Sequence, residues 1–165
     1  DQIVPTENDT LFRKTLLLGY VHDQGAAMMG GVAGNAGLFA SANDLAILFQ
    51  MFLNGGSYGG KQYFDTKTIQ LFTSKQSKVS RRGLGFDRRD PDANKNYPSQ
   101  LASSQVYGHT GFTGTCVWVD PKYKLIYIFL SNRLNPEISN KLSALGIRGR
   151  IQDVIYEAIL SNKRN

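Results

Sequence analysis

The residues best suited to chemistry lie in one stretch, Tyr107-Gly108-His109-Thr110-Gly111-Phe112-Thr113-Gly114-Thr115, where three glycines and three threonines surround a single histidine. Small residues leave backbone amides accessible, and threonine hydroxyls line a strand edge. Such an edge pairs with an extended ligand by strand addition while a backbone N–H points at a developing oxyanion. The same composition also suits a glycine-tolerant bend ahead of a hairpin, and spacing alone leaves both readings open.

Other chemical patterns are weaker. Gly55, Gly60 and Lys61 satisfy the core of a phosphate loop, but Gln62 stands where a Ser or Thr must hold magnesium. These glycines follow a helix instead of opening one, so they read as a helix stop and turn. The cluster from Gly30 to Gly37 does not match G-x-G-x-x-G and follows no convincing strand. His22 and His109 are the two histidines, and neither has metal-ligand spacing to a second donor, so no metal and no cofactor is expected. His22 beside Asp23 reads as structural.

The elements that must position the 107–115 stretch follow from hydrophobic period and capping residues. Pro5 to Arg13 opens with helix-capping types and predicts a short helix, followed by an extended Leu16 to Val21. Asp23 predicts a cap for a short helix through Ala26 to Met29, and Gly30 to Gly37 predicts a tight, partly buried loop. Ser41 with Asp44 opens a helix whose Leu45, Leu48, Phe49 and Phe52 share one face, and Gly55-Gly56 ends it. Asp65 predicts the cap of another helix through Ile69, Leu71 and Phe72. Gly83 to Phe86 reads as strand-like, and Arg88 to about Ser103 as a long polar surface loop.

Thr113 to Val119 and Leu125 to Ser131 then predict an antiparallel hairpin turning at Asp120 to Lys124. The unbroken run Leu125 to Leu130 implies a strand covered on both faces. The C-terminal helix, with Ile151, Val154, Ile155 and Ala158 on one side, is the expected cover, and 162–165 should fray. The class is α+β, an antiparallel sheet flanked by helices. One domain is expected over 1–165, helical to about residue 80, with the sheet and last helix from about 81.

Composition bounds the rest. The 165 residues are 41% hydrophobic and 19% charged, the profile of a single soluble globular domain. No apolar run approaches the ~18 residues of a membrane span. No signal peptide begins at Asp1, and the lack of an initiating Met suggests a processed or truncated product. Cys116 is the sole cysteine, so an intramolecular disulfide is excluded. The net charge of +6 raises nucleic acid as a partner, but Asp87, Asp90 and Asp92 interrupt Arg81, Arg82, Arg88 and Arg89, and no continuous basic stripe results. Nucleic-acid binding is therefore not expected.

His109-Thr110-Gly111 resembles the third motif of serine β-lactamases and penicillin-binding proteins, usually Lys-Thr-Gly and sometimes with His first. Val21-His22-Asp23, the run from Gly31 to Phe39, Asn43-Asp44-Leu45-Ala46 and Gly83-Leu84-Gly85-Phe86 resemble the second half of class C β-lactamase-like serine hydrolases. In some bacterial relatives this region closes a longer chain that begins with a family 3 glycoside hydrolase domain.

The resemblance implies a β-lactamase/DD-peptidase-like fold and attack by serine on an amide or ester, through an acyl-enzyme. It implies catalytic roles for His109 and for the Phe112 amide as oxyanion donor, with Thr110, Gly111 and Thr113 along the substrate. The family's nucleophile motif Ser-x-x-Lys does not occur in these 165 residues, nor does Tyr-x-Asn. Both precede the third motif in family members, so the resemblance implies that Asp1 lies downstream of them. The chain is then a C-terminal fragment, inactive alone, whose open sheet edge needs the missing half or another chain. A histidine, with an ordinary pKa of about 6.5, is mostly neutral where lysine is cationic, so carboxylate recognition should weaken. A poor β-lactamase and an esterase or peptidase is expected, in the periplasm or cell envelope. The alternative is a non-catalytic peptidoglycan- or peptide-binding module of the same fold.

Overall fold

The computed structural model describes residues 3–92 and 98–162. The chain opens with a hairpin, not the expected helix: β1 (Pro5–Asp9) pairs antiparallel with β2 (Thr15–Leu18), with a bulge between Pro5 and Glu7. The Asp9 carboxylate explains the difference, since it accepts from the amides of Leu11, Phe12 and Arg13 at 2.9–3.0 Å. The capping residue caps a turn, an alternative that Asp side chains offer the backbone in competition with helix.

Asp23 accepts from the Ala26 amide at 2.7 Å and starts α1 (Gln24–Met28), as its position predicts. The glycine-rich loop that follows lies at the surface, with Gly30, Val32, Gly34 and Asn35 exposed and no residue of Gly30 to Gly37 buried, so it is more open than the sequence suggests, and it is closed on itself by a bridge between Ala33 and Ala36. Ser41 and Asp44 form a reciprocal capping box at the start of α2 (Ala42–Leu53). Gly55, at φ 69° just past the Asn54 cap, ends it. Leu45 and Met51 are its buried residues, whereas Leu48 is exposed. A two-residue hairpin follows, β3 (Ser57–Tyr58) with β4 (Lys61–Gln62), so the phosphate-loop pattern is a helix stop and turn. Asp65 caps α3 (Thr66–Thr73).

The main sheet holds β5 (Asp87–Arg88), β6 (Tyr107–Thr110), β7 (Cys116–Asp120) and β8 (Leu125–Phe129), antiparallel and in that order. The strand expected over Gly83–Phe86 sits instead at Asp87–Arg88, where Arg81 reaches Asp87 and Asp90 at 2.7 and 2.8 Å and fixes the extended backbone. The β7–β8 hairpin turns where predicted, although Thr113 to Thr115 belong to the preceding turn. Of the expected surface loop, 93–97 lie outside the described residues, but Ser99, Ala102 and Ser103 are buried. Arg89 Nη1 donates to the Gln100 and Ala102 carbonyls, and Arg88 donates to those of Thr73 and Ser104, which draws this segment inward.

Register assigns the sheet's faces. Gly108, Trp118 and Tyr127 lie side by side on one face, and Tyr107, Val119 and Ile126 on the other. The first face meets α5 (Ile147–Ser161), which follows the single turn α4 (Lys141–Ala144). Its core joins Trp118, Tyr127, Cys116, Val106 and Ala102 to Tyr156. The second face meets α2 through edge-on contacts from Phe52 to Phe86 and from Phe86 to Tyr107. All of β8 is at least half-buried, as a strand with helices on both faces requires.

The C-terminal helix covers the sheet as expected, but with a different side. Gly149, Gln152 and Tyr156 are buried while Ile151 and Val154 are exposed. Polar partners set this orientation. Tyr156 donates its hydroxyl to Asp120 at 2.7 Å, and Gln152 accepts from the Ser99 amide at 3.0 Å. Asp120, fully buried, also accepts from Ser103 N and Oγ and from Lys122 N. Each such partner is worth about 1–3 kcal/mol when its loss would strand a buried group. Past β8, Asn132 Nδ2 donates to the carbonyls of Pro5 and Thr6 and ties the first hairpin to the end of the last strand. No helix of the described residues is long and apolar enough to cross a membrane.

Candidate active site

The strand β6 presents His109 on the α2 side of the sheet, opposite Val117, with its side chain exposed. Its Nδ1 lies 2.7 Å from the Thr110 carbonyl. Gly108 must be glycine, because a Cβ there would stand 2.1 Å from the Val117 carbonyl oxygen and 2.8 Å from Trp118 Cα, both backbone atoms of the neighbouring strand. Thr110 pairs with Cys116 and ends the strand.

A tight turn follows. Gly111 N donates to Thr115 O at 2.8 Å, and Gly114 N donates to Gly111 O at 3.1 Å. A Cβ on Gly111 would lie 2.2 Å from Thr115 Oγ1, so the turn closes at this tightness only with glycine there. Phe112 stands at the tip and is 64% exposed. Among the described residues its N–H meets no acceptor. An unengaged amide at the end of a strand, three residues from an exposed imidazole, can donate to an anionic oxygen.

Groups that the sequence reading left out hold this tip. The His22 ring stacks on Phe112 with centroids 5.0 Å apart and planes 10° from parallel. Arg133 places its guanidinium carbon 4.3 Å from the ring centroid and donates through Nε to the Phe112 carbonyl at 2.7 Å. Its own amide donates to the Thr113 carbonyl at 2.9 Å. Thus His109, Thr110, Gly111, Phe112 and Thr113 form one continuous edge, and His22 and Arg133 join it from either end of the chain. His22 read as a structural residue by its isolation in sequence, and only its place in Val21-His22-Asp23 singled it out.

A charged network stands behind His22. Its Nδ1 is 2.7 Å from Glu7 Oε1. Arg13 pairs with Asp9 and Glu7 and donates to the carbonyls of Val21 and His22. The Phe12 amide and the Arg13 side chain, with two further amides, hold the Asp9 carboxyl well below the usual carboxylate range. Asp23 is also lowered, first by the Ala26 amide and then by Asn35. No group of three or more His, Cys, Asp or Glu suited to a metal occurs among the described residues.

The family model described as "Beta-lactamase" matches residues 5–147. Proteins of Salmonella gallinarum and Salmonella typhi, each named "Putative D-alanyl-D-alanine carboxypeptidase", are 38% identical over 158 residues, covering 89% of this chain. The matched region is 37% of each of those proteins, so the chain spans under two fifths of their length. Among solved structures, a β-lactamase from Mycobacterium bovis superposes with a TM-score of 0.58 at 20% identity, over 75% of this chain and 46% of its own. That likeness shows the fold.

Proposed function

Because the chain belongs to the β-lactamase family, we propose that it is the carboxy-terminal part of a serine hydrolase that cleaves an amide or ester through an acyl-enzyme. The observation that carries this reading is the Phe112 N–H, unengaged among the described residues, on a turn fed directly by the exposed strand His109-Thr110-Gly111. In the proposed reaction a serine Oγ gives up its proton and bonds to the substrate carbonyl carbon, the C–N or C–O bond breaks as the leaving amine or alcohol takes up that proton, and water then hydrolyses the acyl-serine ester to release the acid and the free serine. As the tetrahedral oxyanion forms, the Phe112 amide donates to it, a contact of the kind worth about 2.7–4 kcal/mol per donor. Thr110, Gly111 and Thr113 line the extended substrate, and His109 stands where relatives carry lysine. This chain supplies one wall of the site. The serine comes from a Ser-x-x-Lys segment upstream, and the 165 residues alone are inactive.

The carboxypeptidase name of the Salmonella relatives points to a peptide of the D-alanyl-D-alanine class and to the cell envelope. Histidine at 109 in place of lysine weakens the anchor for a substrate carboxylate, which a β-lactam and a D-alanyl-D-alanine peptide both carry, so an ester is the favoured test substrate. The test uses the protein as its gene encodes it, treated with a fluorophosphonate and with an activated ester, and read by intact mass. A single serine adduct with each reagent is expected. No adduct would overturn the enzyme and leave the peptide-binding module. Efficient penicillin turnover insensitive to His109→Ala would overturn the role given to His109.

A further inference from the structure

We infer that His22 and Arg133 are positioning residues for the oxyanion donor, acting on the Phe112 backbone through the Phe112 ring and carbonyl. This rests on the hydrolase reading above. A backbone N–H stabilises a developing charge only when its direction is fixed before the charge appears. The turn at 111–114 is too small to fix it alone, with two backbone hydrogen bonds and an exposed tip.

The fixing groups come from outside the turn. A phenylalanine left 64% exposed gains little from burial, yet the ring of this one is engaged by both a histidine ring and a guanidinium. The guanidinium holds the carbonyl of the same residue at 2.7 Å, and the Arg133 amide holds the next carbonyl at 2.9 Å. Asn140 Oδ1, 3.3 Å from Arg133 Nη1, steadies the guanidinium from behind. His22 is held through its backbone, where Arg13 Nη2 donates to its carbonyl at 2.9 Å, and Glu7 Oε1 stands 2.7 Å from its Nδ1. His22, just past the first hairpin, and Arg133, past β8, thus meet on the one residue whose amide is proposed to donate to the oxyanion. A planar fork such as arginine can cover a ring and donate along a defined vector together, which a lysine ammonium cannot.

The test measures kcat and KM for an activated ester, with affinity for a boronic acid whose serine adduct is tetrahedral and anionic, in the protein as its gene encodes it. His22→Ala and Arg133→Lys should each lower kcat by about 10- to 100-fold, the scale of a small misplacement of a reacting group, with KM little changed. Boronate affinity should fall by the same factor as kcat/KM. His22→Phe, which keeps a stacking ring and loses every proton-transfer capacity, should restore most of the rate. It also carries the test if His22→Ala fails to fold. A His22→Phe protein as slow as His22→Ala overturns the inference in favour of acid–base chemistry at His22. Variants that raise KM alone, or whose boronate affinity is unchanged, also overturn it. A wild-type protein that forms no serine adduct sinks the hydrolase reading itself, whereas a wild type that acylates beside variants that match it sinks this inference only.

Discussion

A guanidinium over a ring that also donates to the carbonyl of the same residue holds that residue in two directions at once, and Arg133 does this to Phe112. His109, by contrast, is exposed, and among the described residues its side chain makes a local contact with Thr110. Replacing it therefore perturbs little besides charge. His109→Lys places a side chain there that is cationic at neutral pH and up to about pH 10. At an exposed position an ion pair is worth at most about 1 kcal/mol, so the expected gain is roughly twofold to fivefold in KM for a substrate ending in a carboxylate, over an ester without one. Parallel kinetics on the two substrates check this, and an equal change for both would contradict it. The edge 109–113 was legible in sequence because its chemistry is contiguous. His22 and Arg133 were not, because they lie 90 and 21 positions from Phe112 and touch it through a ring face, which leaves no spacing signature.

Among elements, the β1–β2 hairpin depends most on a single side chain. Asp9 accepts three amides and one guanidinium N–H, and these hold its carboxyl well below its ordinary value. The unfolded chain takes up the Asp9 proton at higher pH than the folded one, so stability rises with pH through that window. The contribution is complete above the unfolded value of about 3.9 and fades as pH falls below it toward the folded one. Asp9→Asn should thus lower the melting temperature clearly at pH 7, and the gap to wild type should narrow below pH 4. Thermal melts of both proteins across that range measure it, and a gap independent of pH would contradict it. The capped helices α1, α2 and α3 were readable because Asp23, Ser41 with Asp44, and Asp65 act on amides two or three positions on. The orientation of α5 was not. Its buried side carries Gly149 and Gln152, and a reading by apolar period passes over a small residue and an amide whose partner Ser99 lies 53 positions away.

At the scale of the molecule, the α2 and α5 layers cover the main sheet, yet large apolar side chains remain in the open. Leu11 and Val32 are 83% and 84% exposed, and Met28, Met29 and Leu38 are nearly as bare. Surface of this kind, with β5 and β8 as strand edges, favours association. The 165-residue chain produced alone is expected to self-associate at micromolar concentration and to bind an apolar dye, as sedimentation and fluorescence would show. A monomer that unfolds cooperatively would contradict this and the fragment reading with it. The bond from Asn132 to Pro5 also imposes an order in time. A two-stranded ribbon is marginal alone, and this one is fastened by a residue 127 positions later. During synthesis at about 5–20 residues per second, this hairpin emerges roughly 6–25 s before the side chain that fastens it, so of the elements described it is made early and secured late.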